Sequence, residues 1–203
     1  MKITDIKQQV KRKDRYSIFI DGKYSFALSE SGLLSADIKI GQELSERDLA
    51  NLKQNATEDK GVYRVLDLIS RRPRSEGEIR DYLKRKKYSA EEITKILEHL
   101  NTKGYINDED FARRWAENRR LLKSISKRKL QLELRQKRIS DEIIQRVLEG
   151  DETNEVETIK ELIVKKKTSS RYQDQHKLMQ FLARQGFNYS DIKQALGEID
   201  EPV

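Results

Sequence analysis

The chain has 203 residues, 38% of them charged and 35% apolar, with a formal net charge of +7 and a pI near 9.4. That apolar share is lean for one deep core, and the charge is mixed in sign and periodic, so solvated helices are expected rather than disorder. The lack of Cys excludes a disulfide framework and a thiolate metal site, and two well-separated histidines, His99 and His176, argue against a His-based site. No apolar run approaches the roughly 18 residues of a membrane span, and Met1 to Asp5 does not begin a secretory signal, so a cytoplasmic location without a membrane partner is expected.

From the N-terminus, Tyr16 to Ile20 and Lys23 to Ala27 flank Asp21-Gly22, a β-hairpin signal, and Ile3 to Val10 is a candidate third strand. Ser29 to Leu34 predicts a short helix, and Ile38 to Ile40 a short extended piece. Ser45 to about Lys53 predicts a helix with Leu44 and Leu49 as its staple. A polar linker, Gln54 to Lys60, is expected to follow, closing a β-hairpin-containing extension over residues 1–57.

After Gly61 the chain repeats. Ile79, Leu83, Tyr88, Ser89, Ile93 and Leu97 share their spacing with Leu130, Leu134, Ile139, Ser140, Ile144 and Leu148, and again with Leu178, Leu182, Phe187, Asn188, Ile192 and Leu196. Each copy is a helix with an apolar pair four apart, then an apolar residue, a cap, and an apolar residue at the fourth helical position. A preceding helix completes each unit, through Val62, Val65, Leu66 and Ile69, then Phe111 and Trp115, then Ile159 and Ile163. The expected fold is mainly α, with three tandem three-helix repeats at 58–106, 107–153 and 154–203 in an elongated or curved arrangement behind a small β-rich N-terminal extension. Asp151 to Glu155 and Lys165 to Asp174 are polar and weakly patterned, which predicts flexibility between repeats.

Gly104 to Arg120 joins two of these units. Gly104 suits the position past a helix, Asn107 an N-cap, Ile106 and Phe111 a staple, and Asp110 can reach back to the cap backbone. Phe111, Ala112, Trp115 and Leu122 predict a buried stripe, with Trp115 a core anchor. Ser75-Glu76-Gly77-Glu78 has capping-box spacing rather than the look of a catalytic carboxylate pair. Charge alternates along the chain: Arg71 to Lys87 holds eight basic and three acidic residues, Arg113 to Arg138 eleven and two, and Asp141 to Glu155 one and six. A basic strip of this kind matches phosphate-backbone binding. There is no glycine-rich phosphate loop, metal-ligand spacing or nucleophile–base pair, so neither catalysis nor a cofactor is expected.

Gly104-Tyr105-Ile106-Asn107-Asp108-Glu109-Asp110-Phe111-Ala112-Arg113 resembles the most recognisable stretch of the RecX family, the regulators that bind the RecA recombinase. Arg72 to Leu83, Leu130 to Leu134 and Ile139-Ser140 are similar at the level of pattern, and the resemblance covers about Gly61 to Leu196. The chain departs from the family at Lys87 and Lys137, and at Ser124 or Ile125, where members often carry Gly. The resemblance implies tandem three-helix repeats and a non-enzymatic regulator of recombination and the SOS response, expected as a monomer, that lodges along the RecA filament and alters its ATPase, strand-exchange and co-protease activities. The contacts expected on that reading are Arg113, Arg114, Arg119, Arg120, Lys127 and Arg128, with a second patch of Arg72, Arg74, Arg80 and Lys84. The competing reading is a direct DNA-binding protein, on single- or double-stranded DNA, with helix-turn-helix-like repeats.

Overall fold

The fold is described from a computed structural model covering residues 1–200, so positions 201–203 of the expected third repeat lie outside the described residues. An antiparallel sheet of β1 (Ile3–Gln8), β2 (Arg15–Ile20) and β3 (Lys23–Ser29), in that order, opens the chain. Asp21 and Gly22 form its turn, both at positive φ as a two-residue hairpin loop demands. Helix α1 (Glu30–Ala36) is capped by the Ser29 side chain. Residues 38–40 are not a strand: Gln42 N donates to Lys39 O and Lys39 N to the Gln42 side chain, which makes a turn, and the extended pairing falls at Lys2 with Glu43.

The largest departure from the sequence reading is α2 (Glu46–Arg71), which runs unbroken through the expected linker Gln54 to Lys60. Ser45 and Asp48 form a capping box at its start. Its first half packs Ala56 into a core with Ile3, Ile18, Phe26, Leu28 and Leu44, and its second half packs Val65 into another with Ile79, Leu83, Ile93 and Leu100. Gly61 is a buried contact point rather than a boundary, since a Cβ there would overlap Ile96 Cδ1 and lie 3.2 Å from Tyr88 Cε1.

The repeats are α2, α3 (Glu76–Arg85) and α4 (Ala90–Thr102); α5 (Asp108–Lys123), α6 (Lys127–Gln136) and α7 (Asp141–Glu149); and α8 (Glu155–Lys167), α9 (Gln175–Arg184) and α10 (Tyr189–Asp200). The chain divides into two compact units, Met1–Arg74 with Glu78–Ile106, and Ser75–Gly77 with the chain from Asn107 onward. The repeats have separate cores, and every apolar pair expected at the second helix is buried: Ile79 and Leu83, Leu130 and Leu134, Leu178 and Leu182.

The turn from second to third helix recurs bond for bond. Tyr88 N donates to Leu83 O at 3.2 Å and Lys87 N to Lys84 O at 2.9 Å; Ile139 N to Leu134 O at 3.2 Å and Arg138 N to Arg135 O at 2.8 Å; Phe187 N to Leu182 O at 3.4 Å and Gly186 N to Ala183 O at 2.9 Å. These are Schellman closures, which need a left-handed residue just past the helix. That residue is Lys87 (φ 64°), Arg138 (φ 60°) and Gly186 (φ 90°), so in the second repeat the strained position is Arg138 and not Lys137. Ser124, between α5 and α6, is also left-handed (φ 45°).

The expected flexible segments are bonded ones. Asn154 caps α8 and Asp151 holds Thr153 N, Arg120 and Lys127, while Asp174 caps α9 and Tyr172 packs on Phe181 at 5.3 Å. Leu122 is 78% exposed, against the expected stripe; the second core is closed instead by Ile125, fully buried just past the helix.

Lys87→Gly is expected to raise stability by about 0.5–1 kcal/mol by relieving the left-handed Cβ penalty. Gly186→Lys is expected to lower it by more, because the new Cβ also meets Ser126 Oγ and, at 2.8 Å, Lys129 Cβ. The two urea midpoints, moving in opposite directions, check the shared turn.

Candidate interaction surface

In the second unit, Asn107 accepts from Glu109 N and Asp110 N at 3.0 Å each and starts α5 with three acids in the first turn, as the positive helix end favours. Asp110 pairs with Arg114 at 3.0 Å and not with the cap backbone; Arg113 lies 3.6 Å from Glu109. Both arginines stay exposed, at 60% and 64%. Pairs of that kind one turn apart are worth a few tenths of a kcal/mol, about 0.3–0.5, and open easily toward another anion. Two turns on from Arg114, α5 presents Leu121, 82% exposed.

The next arginines on α5 face inward. Arg119 lies over the Trp115 ring at 4.5 Å and bonds Glu133 at 2.5 Å; Trp115 Nε1 donates to the same carboxylate at 3.0 Å while its ring stacks on Phe111, 5.8 Å between centroids. Trp115 is thus half-buried, packed on Phe111, with the Arg119 and Lys137 cations 4.5 and 4.8 Å from its ring centroid. Arg120 grips Asp151 Oδ2 through Nε and Nη2 and donates Nη1 to Ile125 O, with only 14% of its side chain exposed and 11% of its partner's. Burial alone would raise the Asp151 carboxyl, but hydrogen bonds from Thr153 and Arg120 outweigh it and hold the group below the usual carboxylate value. Lys127 is likewise committed, its N–H to Glu155 and its ammonium to Asp151 O, both at 2.5 Å. Arg128 is exposed, pairs with no carboxylate among the described residues, and lines a groove of about 540 Å³ between α6 and α9.

The second patch lies in the first unit. Arg72 forms a fork with Glu78 at 3.0 and 3.2 Å, and Arg74 sits 4.0 Å from the same carboxylate. Burial, then the Arg72 charge, push the Arg74 guanidinium below its ordinary value, and its Nε is buried without a partner. Arg80 is half-buried and bonded, whereas Lys84 is exposed and pairs with no carboxylate among the described residues. Of the ten expected contacts, Arg113, Arg114, Arg128 and Lys84 are therefore open to a partner, while Arg119, Arg120 and Lys127 serve the fold. Leu121 has no counterpart in the expected set; its lone signal is its place seven residues after Arg114.

Among the described residues no group of three or more His, Asp or Glu could hold a metal ion, and no helix is long and apolar enough to cross a membrane.

Models of the regulatory protein RecX match in four consecutive segments: its N-terminal domain over residues 1–45, and its first, second and third three-helix domains over 63–100, 107–148 and 153–196. The chain is 34% identical to regulatory protein RecX of Listeria monocytogenes, covering 98% of this chain and 76% of that one. It is 32% identical to the Bacillus subtilis protein of the same name, covering 98% and 77%. A crystal structure of regulatory protein RecX superposes with a TM-score of 0.75 at 29% identity over 95% of this chain and 98% of the other; RecX from Lactobacillus salivarius gives 0.62 at 25% over 70% and 96%.

Arg120→Ala is expected to cost about 2–4 kcal/mol in chemical denaturation, since it leaves a buried carboxylate unpaired. Arg113→Ala should stay within about 0.5 kcal/mol of the parent. Because the folded-state value of Asp151 is lowered, its contribution is full above the unfolded carboxylate value of about 4 and disappears as pH falls through the lower folded value. The stability gap between the parent and Asp151→Asn should therefore narrow as the pH is taken from neutral to below about 4.

Proposed function

The chain belongs to the RecX family, and from that premise we propose that it is a non-enzymatic regulator of homologous recombination and the SOS response that binds the RecA filament and inhibits its ATPase, strand-exchange and co-protease activities. Residues 1–57, 58–106, 107–153 and 154–203 are its four working modules on this reading. The observation that carries it is the outward side of α5, where Arg113, Arg114 and Leu121 are exposed on an ordered helix. The cations answer acidic protein surface or DNA phosphate, while an exposed leucine gains free energy only against apolar surface, as a protein groove provides. Arg128 and Lys84 extend the same chemistry within their own repeats.

Direct duplex reading is less well supported. In a helix-turn-helix the third helix of each repeat would be the one to enter the groove. Here those helices are acidic: α4 carries Glu91, Glu92 and Glu98 against Lys95, and α7 carries Asp141, Glu142 and Glu149 against Arg146. Such helices are repelled by phosphate.

The test is RecA ATP hydrolysis on single-stranded DNA. The parent protein should depress the rate, and Arg113→Ala/Arg114→Ala/Leu121→Ser should need at least about tenfold more protein for the same effect, equivalent to about 1.4 kcal/mol. No change in rate with a large excess of the parent protein sinks the proposal, and a variant as potent as the parent sinks the assignment to α5.

A further inference from the structure

A further cationic site lies in the first unit, between the N-terminal sheet and α2, and shares no lining residue with the ten candidate contacts above. A pocket of about 480 Å³ is lined by Arg12 from the turn after β1, Arg15 of β2, Tyr24 of β3, and Lys53, Thr57 and Lys60 of α2, and no Asp or Glu lines it. Arg12, Lys53 and Lys60 are exposed and pair with no carboxylate among the described residues, although acidic residues are nearly as numerous as basic ones in this chain. Arg12 is held in place by the Tyr63 ring, 5.1 Å from its guanidinium.

Arg15 is the unusual member. It is only 4% exposed; its Nη2 donates to Ala27 O at 3.1 Å and lies 3.5 Å from Asp59, and its Nη1 is buried with no partner. A buried guanidinium N–H left without an acceptor costs free energy, and the Arg15 charge beneath the pocket adds to its positive potential. Tyr24 supplies the other half of the chemistry. The residue is 60% exposed, its ring is steadied edge-on by Phe19 at 6.1 Å, and it lines the same pocket.

Unpaired cations beside an exposed aromatic are what single-stranded nucleic acid uses, with phosphates on the cations and a base stacked on the ring. Lys53 and Lys60 stand seven residues apart on one helix, about 10 Å along its axis. One inorganic phosphate does not span that distance, whereas successive phosphates of a strand do. In a duplex the bases are already stacked and Tyr24 would have nothing to hold. We propose that the pocket between the N-terminal sheet and α2 is a binding site for single-stranded nucleic acid, with Arg12, Lys53 and Lys60 on the phosphodiester backbone and Tyr24 under a base.

Fluorescence anisotropy of a labelled oligothymidylate with the full-length protein, without recombinase, tests this apart from the filament reading. The parent should bind at low salt. Arg12→Ala/Lys53→Ala/Lys60→Ala, all at exposed positions, should weaken binding at least about tenfold and flatten the dependence of log K on log salt by about 2, the effect of three lost contacts to a single strand. Tyr24→Ala should weaken it about fivefold or more and Tyr24→Phe by less than about twofold, because stacking needs the ring and not the hydroxyl. Unlabelled oligothymidylate should displace the probe far better than inorganic phosphate, polyphosphate or a duplex of equal length. Failure of the parent to bind, an unchanged slope in the triple variant, or equal competition by any of those three overturns the inference. Loss of RecA inhibition with oligothymidylate binding intact would sink only the filament reading, and the reverse only this one.

Discussion

The left-handed residue that ends each second helix is the constraint the repeats depend on. At Lys87, Arg138 and Gly186 the chain makes the same two closing bonds, and the next residue, Tyr88, Ile139 or Phe187, is thereby swung into the core. The carbonyl one position further on, of Ser89, Ser140 or Asn188, receives the first bond of the third helix, from Ile93, Ile144 or Ile192, at 3.0 Å in all three. The staple pair then closes over the second helix. A repeat with fewer than ten buried apolar residues in its core has little free energy to spare. That two of the three turns carry Lys or Arg at a left-handed φ means a cost of about 1 kcal/mol is accepted at each. At Arg138 the retained side chain has a use, since it packs where a Cβ on Gly77 would fall.

These repeats were legible because staple, cap and apolar pair are local and recur at fixed spacing. The second half of α2 was legible for the same reason, through Val62, Val65, Leu66 and Ile69. Its middle was not. Gln54 to Lys60 has no large apolar side chain, and the helix packs through the small residues Ala56 and Gly61, where at Gly61 even a Cβ would collide with its neighbours. Asp59, polar and half-buried, reads from sequence as linker. In the structure it accepts from Ser29 N at 2.8 Å and faces Arg15, tying the helix to the end of β3. With the helix broken at Lys53, the seven-residue spacing from Lys53 to Lys60 carried no meaning. The pocket they share was hidden with it.

The candidate contacts on α5 were half legible. Sequence shows that four arginines follow the acidic first turn, but whether each is a solvent-facing charge or an internal strut depends on acids 14 and 31 residues away, Glu133 for Arg119 and Asp151 for Arg120. Nothing in the spacing discloses such partners. Guanidinium chemistry does bias the outcome. A planar, weakly hydrated fork suits buried bidentate pairing better than an ammonium does, and Arg15 and Arg120 are both deeply placed here. A basic cluster rich in Arg therefore overstates how much of its charge faces outward.

What is left for partners is modest at any one place. Among the cations placed at the two candidate sites, Arg113, Arg114 and Arg128 in the second unit and Arg12, Lys53, Lys60 and Lys84 in the first are exposed. Each alone contributes little in water at physiological salt. Carried on one chain, such sites gain on a polymeric partner, because once one set is engaged the others meet it at high effective concentration. On the proposed reading that partner is a filament of recombinase on single-stranded DNA, which offers protein groove and phosphate strand in long arrays. An arrangement of weak sites on separate units then gives binding that is tight on the polymer, feeble on any fragment of it, and steeply weakened by salt.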